Sequence, residues 1–550
     1  MQWGPLESNQ RGRLPFDWRR CCNSRHGAAL RGVPASTGGS LDALSNQLTN
    51  GRALATTGLR TIRREGSATG VIAAAAVGLI LAMMSVDAAL QGPWLDEFWT
   101  LELSDTSRGL LPLARDRWLS DVHPPVFNLW ATFLTSIGVT SIPAGRLASN
   151  LPAAGLMILA AVRLSRRMPE QAGFNAALLL LVLSLGQSLE AFANYRSYFW
   201  QIAALTTLVF VARHVASTRA DLDRAKDSDL GAIAVLATAG SIGLHYIGGL
   251  FGGLLAGAIG LSALARGHRR WAALMLTTAG LASLFVLAAV LLQARKWAAE
   301  LDHSWIDPIG LEALAVPFAL AAGAACQNPV PLVGLWRGRR SGSQGLFLAM
   351  IVAVLAVGVA IVLVINAYKP IVVDRYLFSV PVLVSAIMAV PAARLARDRA
   401  LFGLFALVAV AMAASPLVRS GIKPLWREGA ETIAEITAGC PGTQVYAASG
   451  WALGPAAETR AALREDPIFK RAYNSLAQQY GYTVQFVGQN GSIQAAPGAC
   501  PLLLWYEHTP NDAENDLPWA LSVVGLTGLE GARVSAIRSP TGFVVRIDRP

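Results

Sequence analysis

Charge is scarce in this chain. Of its 550 residues only 15% are Asp, Glu, Lys or Arg, against 53% hydrophobic, and the mean hydropathy is +0.43. That balance argues against a soluble multidomain protein and for a polytopic membrane protein. Cysteine is scarce as well: Cys21, Cys22, Cys326, Cys440 and Cys500 show no CxxC spacing, which argues against a thiolate metal centre. No internal repeat of solenoid period and no half-to-half symmetry is visible, and the polar C-terminal tail has no glycine loop to cradle a phosphate. The formal net charge is +11, yet the arginines are not pooled in one patch. They recur in short clusters between apolar runs, as topology signals do, so nucleic acid is not the implied partner.

What the sequence does contain is a series of apolar runs, each near the roughly 20 residues that a helix needs to cross a bilayer. They fall at 69–90, 143–162, 171–189, 197–213, 230–245, 247–264, 271–292, 311–335, 344–365, 377–392 and 400–418, eleven in all. The stretch ahead of them, residues 1–66, is rich in Arg, Gly, Ser, Asn and Pro, has no periodic pattern, and reads as a disordered cytoplasmic segment. A further run, 124–138, decides sidedness, because counting it as a span reverses every later loop. Left out, it lets the loops with Arg163/Arg166/Arg167, Arg213/Arg219/Arg224/Lys226, Arg266/Arg269/Arg270, Arg337/Arg339/Arg340 and Arg394/Arg397/Arg399 all join the Arg-rich N-terminus on one side. The positive-inside rule therefore makes 124–138 a short helix at the outer interface, opened by Pro124 and Pro125.

This parity gives an all-α membrane bundle over 67–419, N-terminus in and C-terminus out, with a first outer loop at 91–142. Residues 420–550 change composition sharply. Helical stretches at Trp426–Ala438 and Pro467–Tyr480 alternate with strand-like TQVYAAS, YTVQFVG, PLLLWYE, ARVSAIR and GFVVRID, as expected of a small extracytoplasmic α/β domain. Outside the cytoplasm Cys440 and Cys500 could be bridged, stabilising by roughly 4 kcal/mol in the chain-entropy model.

With the spans so oriented, the candidates for chemistry gather at their outer ends. Asp96 and Glu97 stand directly behind the first span, and His123 follows Glu97 by 26 residues. Tyr195, Arg196 and Tyr198 precede the fourth span, His245 and Tyr246 form a turn, and Lys369, Asp374, Arg375 and Tyr376 close the set. Leu95 and Phe98 embed the two carboxylates among large apolar side chains, an environment that suits a proton acceptor. Adjacent residues do not share a face, so one acid is the base and the other orients, caps or binds metal. Each group also has a plainer reading, as a belt, snorkelling or capping residue at a span end.

Together these residues form a recognisable set. Leu95-Asp96-Glu97, then Asp121-x-His123-Pro124-Pro125-x-Phe127, Arg146 at the start of the next span, and the late Asp374-Arg375-Tyr376-Leu377 resemble the polyprenol-phosphate-sugar-dependent glycosyltransferases of the GT-C fold. That group includes protein O-mannosyltransferases, the lipid A aminoarabinose transferase and lipopolysaccharide-core transferases. The resemblance covers roughly residues 69–400 and implies a lipid-linked sugar donor in the membrane, an acceptor in the cell envelope, and a site on the periplasmic face of a bacterial inner membrane. It implies Asp96 as base with Glu97 beside it. The donor phosphate would meet Arg375, with Lys369 and Arg196 less directly, and His123, Tyr195, His245, Tyr246 and Tyr376 would line the site. The resemblance fixes no cofactor and leaves metal dependence open. A divalent ion at Asp96, Glu97 and His123 is an alternative source of positive charge.

Two rivals come from other classes. A secondary transporter would place ionisable groups at mid-membrane, but span centres such as Val71–Met84 carry none. A non-catalytic envelope-polysaccharide export protein would keep the fold without needing Asp96.

Overall fold

The computed structural model describes residues 68–121, 123–218, 228–302, 342–368, 376–449, 467–486, 500–507 and 531–548, with single positions 493, 517, 521 and 526. Its first helix, α1 (Ala68–Leu90), leads into three short ones: α2 (Leu95–Leu103), α3 (Leu110–Asp116) and α4 (Val126–Ser136). Seven more follow, all but α7 of twelve residues or more: α5 (Ile142–Arg167), α6 (Ala172–Leu183), α7 (Gly186–Phe192), α8 (Tyr198–Ser217), α9 (Ser228–Gly243), α10 (Tyr246–Ala265) and α11 (Arg269–Asp302). The bundle closes with α12 (Ser343–Tyr368), α13 (Ser379–Leu395) and α14 (Arg399–Ser420).

Seven helices among the described residues are long and apolar enough to cross a membrane. An eighth crossing would combine α6 and α7, whose axes bend by 70° at Ser184–Leu185, while α9 and α13 are shorter apolar helices. Ten of the eleven expected spans thus fall on described helices, and 311–335 lies outside the described residues. Helix α4, with 11 residues, reaches only about 16 Å at 1.5 Å per residue, half of a hydrocarbon core. It cannot span, in agreement with its expected interfacial place.

One end of the bundle gathers the arginines. Thr69 at the start of α1 donates to Ala396 O beyond α13, Arg167 at the end of α5 pairs with Asp229 at the start of α9, and Arg266 after α10 donates to Val215 O, Ala216 O and Thr218 O at the end of α8. These contacts fix the loops with Arg163–Arg167, Arg266–Arg270 and Arg394–Arg399 at one end. The interior is a continuous apolar core reaching from Ile80 and Met84 through Leu178, Phe199 and Phe251 to Leu383. Tight approach is built from small residues: a Cβ on Gly252 of α10 would come within 2.5 Å of Ser241 O on α9.

At the opposite end sits the C-terminal region, built from α15 (Trp426–Gly439), α16 (Pro467–Tyr480) and five strands, β1 (Gln444–Ser449), β2 (Gln485–Phe486), β3 (Leu502–Glu507), β4 (Arg533–Ser539) and β5 (Gly542–Asp548). Their order is β2-β1-β3-β5-β4, with β1 parallel to β2 and β3, and β5 antiparallel to β3 and β4. Both helices and all five strands lie where the alternation pattern placed them. All six residues of β3 are buried, as suits a central strand covered on both faces. Cys440 and Cys500 are disulfide-bonded, with Cα atoms 5.7 Å apart, tying the end of α15 to the start of β3 across 60 residues.

The decisive feature is how this region meets α2. Leu95, Phe98 and Leu101 of α2 share one core with Phe127, Tyr195, Trp426, Phe469, Tyr473 and Trp505. Trp426 is fully buried, 5.7 Å from the Phe98 ring, and truncating it would cost about 3–5 kcal/mol through the cavity left behind. Arg471 of α16 reaches Glu102 and Asp105 at 3.0 and 3.3 Å. The helix that carries the acid pair is therefore clamped between the bundle and helices α15 and α16 of the C-terminal region.

Candidate functional site

Helix α2 begins at the acid pair, and its first turn separates the two carboxylates. Glu97 turns inward and is fully buried. Its Oε1 accepts from Arg146 Nε at 2.6 Å and from Tyr195 N–H at 2.8 Å; its Oε2 accepts from Arg146 Nη2 at 2.5 Å and from Trp94 N–H at 2.9 Å. Arg146 spends its other donors on Ala88 O, Gln91 O and Gly92 O. All five guanidinium hydrogens are thus placed, which is what lets a charged pair survive burial. Of the two places open to the members of the pair, Glu97 takes the orienting one in this geometry: it staples α1, α2, α5 and the Tyr195 backbone together. It has no oxygen left for a metal, so the alternative ion site at Asp96, Glu97 and His123 does not fit these residues. Among the described residues no group of three or more His, Cys, Asp or Glu is arranged to hold one.

Asp96 turns the other way and lines a cavity of about 240 Å³. Trp94 and Gln91 flank it, α7 contributes Gln187 and Glu190, the turn after it Asn194, and Tyr198, Phe378, Lys423 and Leu425 complete the wall. Drug-sized ligands occupy cavities of about 300–1,000 Å³, so this one suits a single sugar ring. Amides and aromatic faces around a carboxylate are the groups that hold a polyol.

Beneath Asp96 lies Arg196, 6% exposed. Its Nη1 donates to Thr100 Oγ1 at 3.3 Å and Asp96 O at 3.4 Å, and its Nη2 lies 3.3 Å from His123 Nδ1. Burial works against its charge, but the nearby Asp96, Tyr198, Asp121 and Tyr376 outweigh that and hold the guanidinium above its ordinary pKa. His123 is 3.6 Å from Asp121 and 5.9 Å between ring centres from His245, whose ring lies 4.8 Å from Tyr376. Tyr198 joins the same cluster, 5.8 Å from His245. Residues from α2, the 121–125 loop, α8, α10 and the start of α13 therefore converge on one rim, away from the arginine end.

Two expected site residues do not line the Asp96 cavity. Tyr195 is 0% exposed, with its ring against Phe127 and so close to Gly145 that a Cβ there would come within 2.7 Å of it. Burial pushes its phenol up, and its hydroxyl has no partner among the described residues, so it acts as packing. The Tyr246 hydroxyl donates to Gln293 Oε1 at 2.5 Å, and Gln293 Nε2 donates to Trp118 O and His123 O at 3.0 Å each. Tyr246 thus props the His123 loop. Lys369, Asp374 and Arg375 lie outside the described residues, while Tyr376 is in place.

Sequence reasoning missed four contributors: Thr100, Gln293, Lys423 and the buried partnership of Arg146. Only Arg146 left a signal, as a lone charge inside an otherwise apolar span. The others are ordinary polar residues whose role exists only in three dimensions.

No model of a known protein family matches the chain, and no curated protein matches it. Among solved structures it is similar to ArnT from Cupriavidus metallidurans bound to undecaprenyl phosphate, over 86% of this chain and 97% of that one, at 14% identity and a TM-score of 0.45. It is also similar to the apo state of the same protein, over 87% of this chain and 98% of that one, at 13% identity and a TM-score of 0.46.

Proposed function

We propose that this chain is a membrane glycosyltransferase of GT-C type that moves a sugar from a polyprenyl-phosphate donor to an acceptor hydroxyl. The observation that carries the reading is the division of labour at the acid pair: Glu97 is locked on Arg146, and Asp96 faces a sugar-sized cavity above Arg196. The resemblance of Leu95-Asp96-Glu97, Asp121-x-His123-Pro124-Pro125 and Arg375-Tyr376 to the motifs of lipid-linked-sugar transferases supports the same reading.

The chemistry needs little more than these groups. A sugar on a polyprenyl phosphate carries a good leaving group, so the second carboxylic acid that a glycosidase uses to protonate its leaving group is dispensable. Asp96 takes the proton of the acceptor hydroxyl, the freed oxygen attacks the anomeric carbon, and the carbon–oxygen bond to phosphate breaks with its electrons going to the phosphate. A single displacement of this kind inverts the anomeric centre. Arg196, held by Thr100 and His123, keeps positive charge under the rim without side-chain motion. Arg375 and Lys369, on the segment that leads into Tyr376, are proposed to meet the donor phosphate.

Sidedness follows from the positive-inside rule. With the arginine end cytoplasmic, the rim and the C-terminal region face outward, at the periplasmic side of a bacterial inner membrane. The test is transfer itself. The full chain in proteoliposomes, given a polyprenyl-phosphate sugar and envelope acceptors, is expected to release free polyprenyl phosphate at a rate that scales with acceptor. Release that never depends on an acceptor would remove the reading.

A further inference from the structure

Residues 421–425, which join α14 to α15, run alongside the end of α1. Gly92 N–H donates to Lys423 O at 2.9 Å, Trp426 N–H to Pro93 O at 3.4 Å, and Arg427 Nη1 to Leu90 O at 2.7 Å. The approach is so close that any Cβ on Gly92 would overlap Pro424 O. Leu425 sits at φ 47°, ψ −131°, the one non-glycine residue with positive φ among the described residues. Such a conformation persists only where the surroundings enforce it, and such residues cluster at ligand sites. Here the fully buried Trp426 and the Gly92 contact enforce it, and the outcome is that Lys423 and Leu425 become part of the wall of the Asp96 cavity.

Lys423 is the only cation among the described residues that line this cavity. Arg196 nearby is occupied by Asp96 O, Thr100 and His123. Lys423 is exposed, and no described hydrogen bond or ion pair involves its ammonium. A lysine on a flexible stem suits an anion whose charge grows during reaction, because its three donors can follow the moving oxygens.

We propose that Lys423 is a substrate-binding residue, holding the phosphate oxygens of the lipid-linked donor in the Asp96 cavity, and that residues 421–425 are a wall of the reaction site as well as a connection between two regions. The proposal deepens the transferase reading and rests on it. As the anomeric carbon–oxygen bond breaks, the phosphate gains a second negative charge, and Lys423 meets that charge while Asp96 holds the acceptor proton. The field of Lys423 also reaches Asp87 near the end of α1, so an indirect route through Asp87 has to be separated from direct binding.

The experiment measures binding of polyprenyl phosphate alone to the purified full chain, and separately the donor dependence of transfer, for wild type, Lys423→Gln, Lys423→Arg and Asp87→Asn. Loss of a charge-assisted contact predicts about ten- to hundredfold weaker polyprenyl-phosphate binding in Lys423→Gln, with an equal loss in kcat/KM for the donor. Lys423→Arg is expected to recover most of the binding, Asp87→Asn to bind as wild type, and all four to melt at the same temperature. Wild-type binding by Lys423→Gln, or an equal loss in Asp87→Asn, would overturn the proposal. Because binding is read without turnover, a chain that binds polyprenyl phosphate through Lys423 but transfers no sugar would count against the transferase reading and not against the site.

Discussion

Glu97 and Arg146 form a two-pronged ion pair, at 2.6 and 2.5 Å, with both side chains at 0% exposure. The pair lies between the end of α1, the start of α2 and the start of α5, directly under the residue that faces the cavity. Two neighbouring carboxylates are thereby placed differently: Glu97 is locked into the frame, and Asp96 faces the cavity.

Breaking that pair is expected to damage folding before chemistry. Removing one partner of a buried ion pair strands the other and costs about 3–5 kcal/mol. Glu97→Gln and Arg146→Met should each lower the melting temperature of the detergent-purified chain by several degrees, whereas Asp96→Asn should leave it unchanged. Equal melting of Glu97→Gln and wild type would show that the staple is not structural.

The C-terminal region has its own pH dependence. Glu507 on β3 is buried beneath α15, where a Cβ on Gly429 would come within 2.6 Å of its Oε1. Burial pushes its carboxyl from 4.5 up to about 8, against the hydrogen bonds from Thr541 and Trp505 that favour the charged form, and with the repulsion of Glu428 adding to the rise. With the folded pKa above the unfolded one, the native state binds the extra proton between these values. The contribution of Glu507 to stability is therefore full below about pH 4.5 and is lost as pH rises to about 8, by about 5 kcal/mol at most. Glu507→Gln should flatten this slope, and melting curves at pH 5 and pH 8.5 check it. A wild-type slope that survives the substitution would assign it to other groups.

Sidedness can be read chemically. In a background with Cys21, Cys22 and Cys326 replaced by Ser, a membrane-impermeant maleimide on sealed right-side-out vesicles should label Gln187→Cys at the cavity. Arg270→Cys, exposed at the arginine end, should react only after the vesicles are opened. The reverse pattern would invert the topology.

Much of this architecture can be read along the chain, because apolar run length and two-residue alternation are local signals. They locate α1, α5, α8, α10 and all five strands to within a few residues, and arginine placement alone brings Asp96, His123, Arg196, His245 and Tyr376 to one rim. What cannot be read is which of two adjacent carboxylates is buried. That depends on Arg146, 49 residues away, and on a Tyr195 amide 98 residues away. Tyr195 itself misleads, since a tyrosine beside an arginine at a span end looks the same whether its hydroxyl meets substrate or packs against Gly145. Lys423 is hidden for a similar reason: a lysine in a short connection gains meaning only once Gly92 lets that connection lie against α1.

The central claim is that Asp96 is the base and Glu97 its scaffold. Its most direct test is sugar transfer from a polyprenyl-phosphate donor by Asp96→Asn, compared with wild type at equal amounts of folded protein. The account predicts a loss of about a hundred- to ten-thousandfold in turnover, the scale of general-base contributions, with melting unchanged. Turnover within a few-fold of wild type in the folded Asp96→Asn protein would contradict it.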